Sequence, residues 1–178
     1  MHKDIDQPSD WVRRWADLVT RGPVLDVASG GGRHAKFFAQ RGLAVVAVDR
    51  EAQSIPGVRF VQADLEGGGA WPFAGQRFAA IVVTNYLHRP LLPTLEGALA
   101  EEGVFLYETF MVGNEKYGRP SNPAFFPIAG PLEDPIAWNF PTGRSTSTTP
   151  ICLSCGSPAA VITRSRFCTS SSETNEHS

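Results

Sequence analysis

The sequence predicts a doubly wound α/β domain built on a mostly parallel sheet. Two observations carry this expectation. A short apolar strand, Val24-Leu25-Asp26-Val27, runs into a turn of small residues, Ala28-Ser29-Gly30-Gly31-Gly32, and then into a helical segment through Ala35, Phe37, Phe38 and Ala39. Strand, glycine turn and helix in this order form the nucleotide-cofactor entry of such sheets. Further short apolar runs at 43–49, 58–65, 79–83 and 104–110 are then expected to alternate with helices. Runs that are apolar throughout are the mark of strands covered on both faces, and right-handed crossovers set the helices on either side.

The first element is a helix. Pro8-Ser9-Asp10 offers Ser9 or Asp10 as a cap, and Trp11, Val12, Trp15, Leu18 and Val19 fall on one face at helical spacing. Two tryptophans on that face read as packing against the sheet. Arg21-Gly22-Pro23 ends the helix and starts the first strand. The helix after the glycine turn stops near Arg41-Gly42, and Leu43 to Asp49 is the second strand. Asp49 lies 19 residues past Gly30, the distance at which a carboxylate accepts hydrogen bonds from ribose hydroxyls. The third strand, Val58 to Leu65, includes a further acid at Asp64. The fourth, Ala79 to Val83, delivers Asn85, Tyr86, Leu87, His88, Arg89 and Pro90 to the rim where parallel sheets bind ligands. A helix over Leu91–Ala100 stops at Glu101-Glu102-Gly103, and Val104 to Phe110 is the fifth strand.

The chain has 178 residues, enough for one domain with a real core. Apolar and charged contents of 42% and 19% are those of an ordinary globule. A net charge of −2 leaves no electrostatic footprint for nucleic acid. The polar start, Met1 to Asp10, is no secretory signal, and the longest apolar runs are too short for a bilayer. The expected location is cytoplasmic. Cys152, Cys155 and Cys168 form no disulfide framework.

The glycine turn by itself fits two cofactors. Gly30-x-Gly32-x-x-Ala35 matches the dinucleotide pattern with alanine at its last position. The same letters match the first motif of class I S-adenosylmethionine (SAM) methyltransferases. Asp26 favours the second, because a carboxylate suits the cationic sulfonium and ammonium end of SAM better than an anionic pyrophosphate.

From about Pro8 to Phe126 the chain resembles small bacterial class I SAM-dependent methyltransferases, including methyltransferase-domain proteins near the tellurite-resistance type. The carriers, in order, are Pro8 to Trp15, Val24 to Gly42, Val45 to Arg50, Ala63 to Glu66, Trp71 to Phe73, Phe78 to Leu92 and Val104 to Phe125. The resemblance implies that Asp26, Ala28, Ser29, Gly30 and Gly32 line the methionine and ribose side. It implies that Asp49, with Arg50 beside it, holds the ribose, that Asp64 and Leu65 meet the adenine, and that Asn85 stands at the rim. Ala28 replaces the commonest glycine, and Ser29 stands where the family often has cysteine. Tyr86 and His88 are the candidates for catalysis by position, with Glu108 nearby. The implied acceptor is a small molecule, with no metal, nucleic acid or membrane involved. The rival readings are a SAM-binding protein without turnover and a nicotinamide oxidoreductase.

After Phe126 the pattern fails. Eight of the 14 prolines lie from Pro120 onward, and Ser plus Thr make up 16 of the last 37 residues. Residues 1–126 are therefore expected to form the cofactor domain, and 127–178 an irregular or disordered segment whose only strand candidate is Ala159–Thr163. A divergent lid, a disordered tail and a reading-frame shift all account for so abrupt a change. The family's C-terminal strands are expected to be atypical or missing, which leaves the fifth strand as an exposed edge open to self-association. Cys152-x-x-Cys155 with Cys168 and His177 also offers four zinc ligands, although a lone CxxC is a weak signal.

Overall fold

The computed structural model describes residues 6–109 and the backbone of two strands, 146–148 and 159–163. The elements in chain order are α1 (Asp10–Trp15), β1 (Val24–Val27), α2 (Arg33–Gln40), β2 (Val45–Asp49), β3 (Arg59–Gln62) and β4 (Phe78–Thr84). They are followed by α3 (Leu92–Ala98), β5 (Leu99–Glu108), β6 (Thr146–Thr148) and β7 (Ala159–Thr163). They form one seven-stranded sheet of order β3-β2-β1-β4-β5-β7-β6. β1 to β5 run parallel, with Val24 opposite both Val45 and Ala80.

Side-chain alternation along the central strands builds two cores. Val24, Ala47, Ala80, Val82 and Leu106 face α1 and α2, against Trp11, Val12, Ala16, Ala35 and Phe38. Leu25, Val27, Val46, Val48, Ile81, Val83, Phe105 and Tyr107 face the other way, against Leu95 and Ala98 of α3. Each large apolar side chain buried in these layers is worth about 1.5–3 kcal/mol over its exposed state. Trp11 and Trp15 meet edge to face at 5.8 Å, so both tryptophans of α1 pack as read from the sequence.

Helices do not alternate with strands throughout. Among the described residues they precede β1, β2 and β5, while 50–58 and 63–77 are turns. Pro56-Gly57 and Gly67-Gly68-Gly69 disfavour a helix there. The face left bare is covered by an aromatic chain, with Trp71 against Phe73 at 5.1 Å and Phe73 against Phe78 at 5.5 Å. β3 is shorter than the run that predicted it, so Asp64 lies in a turn beyond the strand. β5 starts earlier, at Leu99, with Glu102 at φ +58 and a register irregularity against β4.

Of the two alternatives for the C-terminal strands, atypical or missing, the second does not hold: two short strands are present. β7 forms at Ala159–Thr163 and pairs antiparallel with β5, with Leu106 opposite Val161, and β6 pairs with β7. β5 is therefore not the exposed edge foreseen for self-association. Its apolar, β-branched sequence lets Ala159–Thr163 join the sheet despite the Pro/Ser/Thr-rich flanks. Cys152, Cys155, Cys168 and His177 lie outside the described residues. Among the described residues no helix is long and apolar enough to cross a membrane, and no group of His, Cys, Asp or Glu has the arrangement of a metal site.

Candidate active site at the C-terminal edge of the sheet

The parallel strands end together, and their C-terminal edge is where loops carry polar groups above the core. The turn after β1 is held by its own backbone. Ser29 N–H donates to the Val48 carbonyl at 3.1 Å, and Gly32 N–H to the Ser29 carbonyl at 2.9 Å. Gly30 and Gly32 have φ of +52 and +73, a region that costs other residues energy. Ala28 adopts φ +51 in the same turn. A Cβ at Gly30 or Gly31 would meet no protein atom within 4 Å, so open space lies over the turn. At Gly32 a Cβ would meet the Ile55 side chain, so this glycine packs against protein.

Two carboxylates are tied to this turn. Asp49, at the end of β2, accepts from Gly30 N–H at 2.8 Å through Oδ2 and from Glu51 N–H at 3.0 Å through Oδ1. Each oxygen keeps a second lone pair. Arg50 beside it is exposed, and its carbonyl accepts from the Gln62 side chain at 3.0 Å. Asp26, buried in β1, accepts from Ala35 N–H at 2.9 Å through Oδ2, satisfying a first-turn amide of α2 whose Gly32 cap has no side chain. Its Oδ1 is buried with no partner. Burial raises the Asp26 pKa to about 7; the Ala35 amide and Arg33 oppose the rise, and Asp49 adds to it.

Asp64 takes two turn amides on Oδ1, from Glu66 at 2.9 Å and Gly67 at 3.2 Å. Leu65 beside it is half-buried against the second core. Asn85 is exposed, at φ +56, and its N–H donates to the Glu108 carbonyl at 2.8 Å, tying the β4 end to the β5 end. Tyr86 follows with its ring on the second core and its hydroxyl buried. Burial raises the Tyr86 pKa, and Glu66, Asp64 and Asp49 push it in the same direction. His88 is half-buried and opens the short 3-10 turn Arg89–Leu91, its carbonyl accepting from Leu91 N–H at 3.0 Å.

Sequence reading passed over His34. It is 2% exposed, and its Nε2 accepts from Ser9 N–H at 3.1 Å while Nδ1 lies 3.2 Å from Thr84 Oγ1. A ring that accepts at Nε2 carries its proton at Nδ1, so we assign that nitrogen as donor to Thr84. Burial, with Arg33 nearby, lowers its pKa to about 3 and keeps it neutral. One imidazole thus joins the cap of α1, the first turn of α2 and the end of β4. Its place directly behind the glycine turn was the available signal.

Buried unpartnered polar atoms are few, and they are unevenly placed. Seven side-chain atoms of this kind occur among the described residues: Trp11 Nε1, Trp15 Nε1, Asp26 Oδ1, Ser29 Oγ, Tyr86 OH, Glu108 Oε2 and Thr109 Oγ1. The two indoles are on α1; the other five belong to β1, to the turn after it, or to the ends of β4 and β5. Buried polar atoms ordinarily have partners, so this concentration marks where a polar ligand would fit.

A family model described as "Methyltransferase domain" matches residues 25–102. No curated protein matches the chain. Among solved structures, a putative O-methyltransferase from Nostoc punctiforme shares 15% identity, aligning 86% of this chain with 55% of its own at TM-score 0.58. A SAM-dependent methyltransferase from Archaeoglobus fulgidus shares 13% identity over 79% of this chain and 69% of its own, at TM-score 0.57. A protein that converts a disulfide bond into a thioacetal group during echinomycin biosynthesis shares 16% identity over 94% and 86%, at TM-score 0.56. At these identities the likeness is one of fold. The chain spans little more than half the length of some of them: 55% of the Nostoc protein, and 54% of a glycopeptide N-methyltransferase. The matched residues 25–102 run from β1 through the β4 end into β5, and over them the chain is similar to a methyltransferase domain.

Proposed function

We propose that this chain binds SAM across the C-terminal edge of its sheet and transfers the methyl group to a small-molecule acceptor. The observation that carries the reading is the set of five buried, unpartnered polar atoms at or just after the ends of β1, β4 and β5, on the edge of the sheet that also carries a glycine turn with open space above it. SAM, when bound, supplies a methyl group on a cationic sulfur.

The chain's own groups suit that ligand. Asp49 stands in the position for ribose hydroxyls, with Arg50 flanking it, and Asp64 with Leu65 for the adenine. Asp26, Ala28, Ser29, Gly30 and Gly32 line the methionine side, where the unpartnered Asp26 oxygen offers a negative group to a cation. Asn85 forms the rim. His88 is the side chain we assign to the acceptor, and the buried Glu108 oxygen is a second group facing that side. A base is needed only for an acceptor that carries a proton at working pH; otherwise the protein orients the acceptor and excludes water. A cytoplasmic location and a soluble acceptor go with this reading.

The test is methyl transfer from labelled SAM to a panel of small phenols, amines, thiols and carboxylic acids. Transfer to one class, lost in Asp49→Ala, supports the reading. SAM binding with no transfer to any member would leave a binding protein in its place.

A further inference from the structure

Tyr86 was named for catalysis by its position after β4, but its surroundings in the structure belong to the other end of the site. We propose that the Tyr86 hydroxyl donates a hydrogen bond to a ring nitrogen of the cofactor's purine and removes no proton from the methyl acceptor. This rests on the reading of the site as a SAM site.

The backbone fixes where Tyr86 goes. Asn85, in the left-handed region at φ +56, turns the chain immediately after β4. The Tyr86 carbonyl is then held by the Tyr107 hydroxyl at 2.8 Å. The Tyr86 ring packs on the same core as Ala63, Leu65 and Trp71, the segment that follows β3. The hydroxyl is buried and has no hydrogen-bond partner. The carboxylates whose charge reaches it are Glu66 and Asp64 of the turn after β3, and Asp49 of β2. Glu66 is near enough to bias the phenol, but their geometry falls short of a hydrogen bond, which leaves the buried proton available.

The chemistry of that end is one-sided without Tyr86. Ionised carboxylates only accept hydrogen bonds. They suit an amino group and ribose hydroxyls, and leave the ring nitrogens of a purine, which are acceptors, without a side-chain donor. A phenol supplies one. Surrounding negative charge and burial both favour its protonated form, so it stays a donor at neutral pH and is a poor base. Three acids beside a buried phenol thus explain donation more readily than proton removal.

The test compares S-adenosylhomocysteine with its 1-deaza and 3-deaza analogues, each of which replaces one ring nitrogen by C–H. All three are titrated by calorimetry into the full chain and into Tyr86→Phe, which keeps the ring; circular dichroism checks the fold. The wild type is expected to bind one deaza analogue about tenfold more weakly than S-adenosylhomocysteine. Tyr86→Phe is expected to lose about the same factor for S-adenosylhomocysteine and to discriminate no longer. The pH profile of kcat at saturating SAM should keep its shape. Glu66→Gln is a second variant, expected to keep the discrimination. The proposal is overturned if Tyr86→Phe keeps wild-type affinity or discrimination, if kcat loses a basic limb at unchanged affinity, or if Glu66→Gln alone abolishes discrimination. A wild type that binds no S-adenosylhomocysteine refutes the SAM reading itself, whereas a wild type that binds it beside an unaffected Tyr86→Phe refutes this inference alone.

Discussion

The Gly30 amide donates to the Asp49 carboxylate at 2.8 Å, so the turn after β1 and the acid that ends β2 form one unit. Two elements 19 residues apart are locked in register before any ligand arrives. Preorganisation of this kind cuts the ordering cost of binding.

Asp49→Ala removes both the turn's anchor and the carboxylate assigned to the ribose. SAM affinity is expected to fall by about 1.5–3 kcal/mol, the range for hydrogen bonds to a charged group. Far-ultraviolet circular dichroism should match the parent, since the half-buried side chain sits at the edge of the sheet. A folded variant with parental SAM affinity would remove the ribose assignment.

Asp26 is expected to make cofactor binding depend on pH. Its pKa near 7 in the free protein means that it is mostly protonated below neutrality. A cationic ligand favours the carboxylate, so binding at pH 6 must release a proton. SAM affinity should therefore rise with pH up to about 7 by as much as tenfold per unit, and level off above. Calorimetry in two buffers of different ionisation enthalpy at pH 6 measures the released proton. Asp26→Asn should abolish it; release that persists in this variant points to another group.

Asp26 and His34 also pull stability in opposite directions. The raised Asp26 pKa gives stability that is full below 3.8 and lost as pH rises toward 7. The lowered His34 pKa gives stability that is full above 6.5 and lost as pH falls toward 3. Over the shared window, about pH 4 to 6.5, the two slopes offset each other. His34→Gln is expected to expose the Asp26 slope, with unfolding free energy falling by up to about 1.4 kcal/mol per pH unit between pH 4 and 7. Urea melts across that range check it, and a variant whose slope equals the parent's contradicts the His34 assignment.

Ala28 is held at φ +51 where glycine would carry no penalty. Relief of about 1–2 kcal/mol of backbone strain outweighs roughly 0.5–1 kcal/mol of added unfolded-state entropy. Ala28→Gly should thus raise stability by about 0.5–1 kcal/mol, seen as a higher denaturant midpoint at unchanged slope. A lower midpoint would mean that the methyl group contributes packing at this turn.

The glycine turn and its Asp49 anchor could be read in the residues because they follow a recurring local pattern. A strand, a glycine turn and an acid at a fixed distance recur wherever backbone must approach a nucleotide closely, and the spacing alone joined Gly30 to Asp49. The His34 bridge was not legible, since Ser9, His34 and Thr84 are distant in sequence and meet only through packing. Tyr86 was placed at the β4 end, but the direction its ring takes there depends on the left-handed Asn85, which the residue pattern does not reveal. Ala159–Thr163 stood out as a strand within unpromising flanks, yet its pairing with β5 is a long-range event that composition does not encode. The expected alternation of strands and helices fails at 50–58 and 63–77, where Pro56-Gly57 and the Gly67–Gly69 run were signals against a helix that the strand pattern overrode.

The most direct test of the central claim is isothermal titration of the full chain with SAM and with NAD at pH 8, where Asp26 is ionised. The account predicts one saturable site for SAM and no heat for NAD beyond dilution. Saturable NAD binding with none for SAM would contradict it, and would return the glycine turn to the dinucleotide pattern that it also fits.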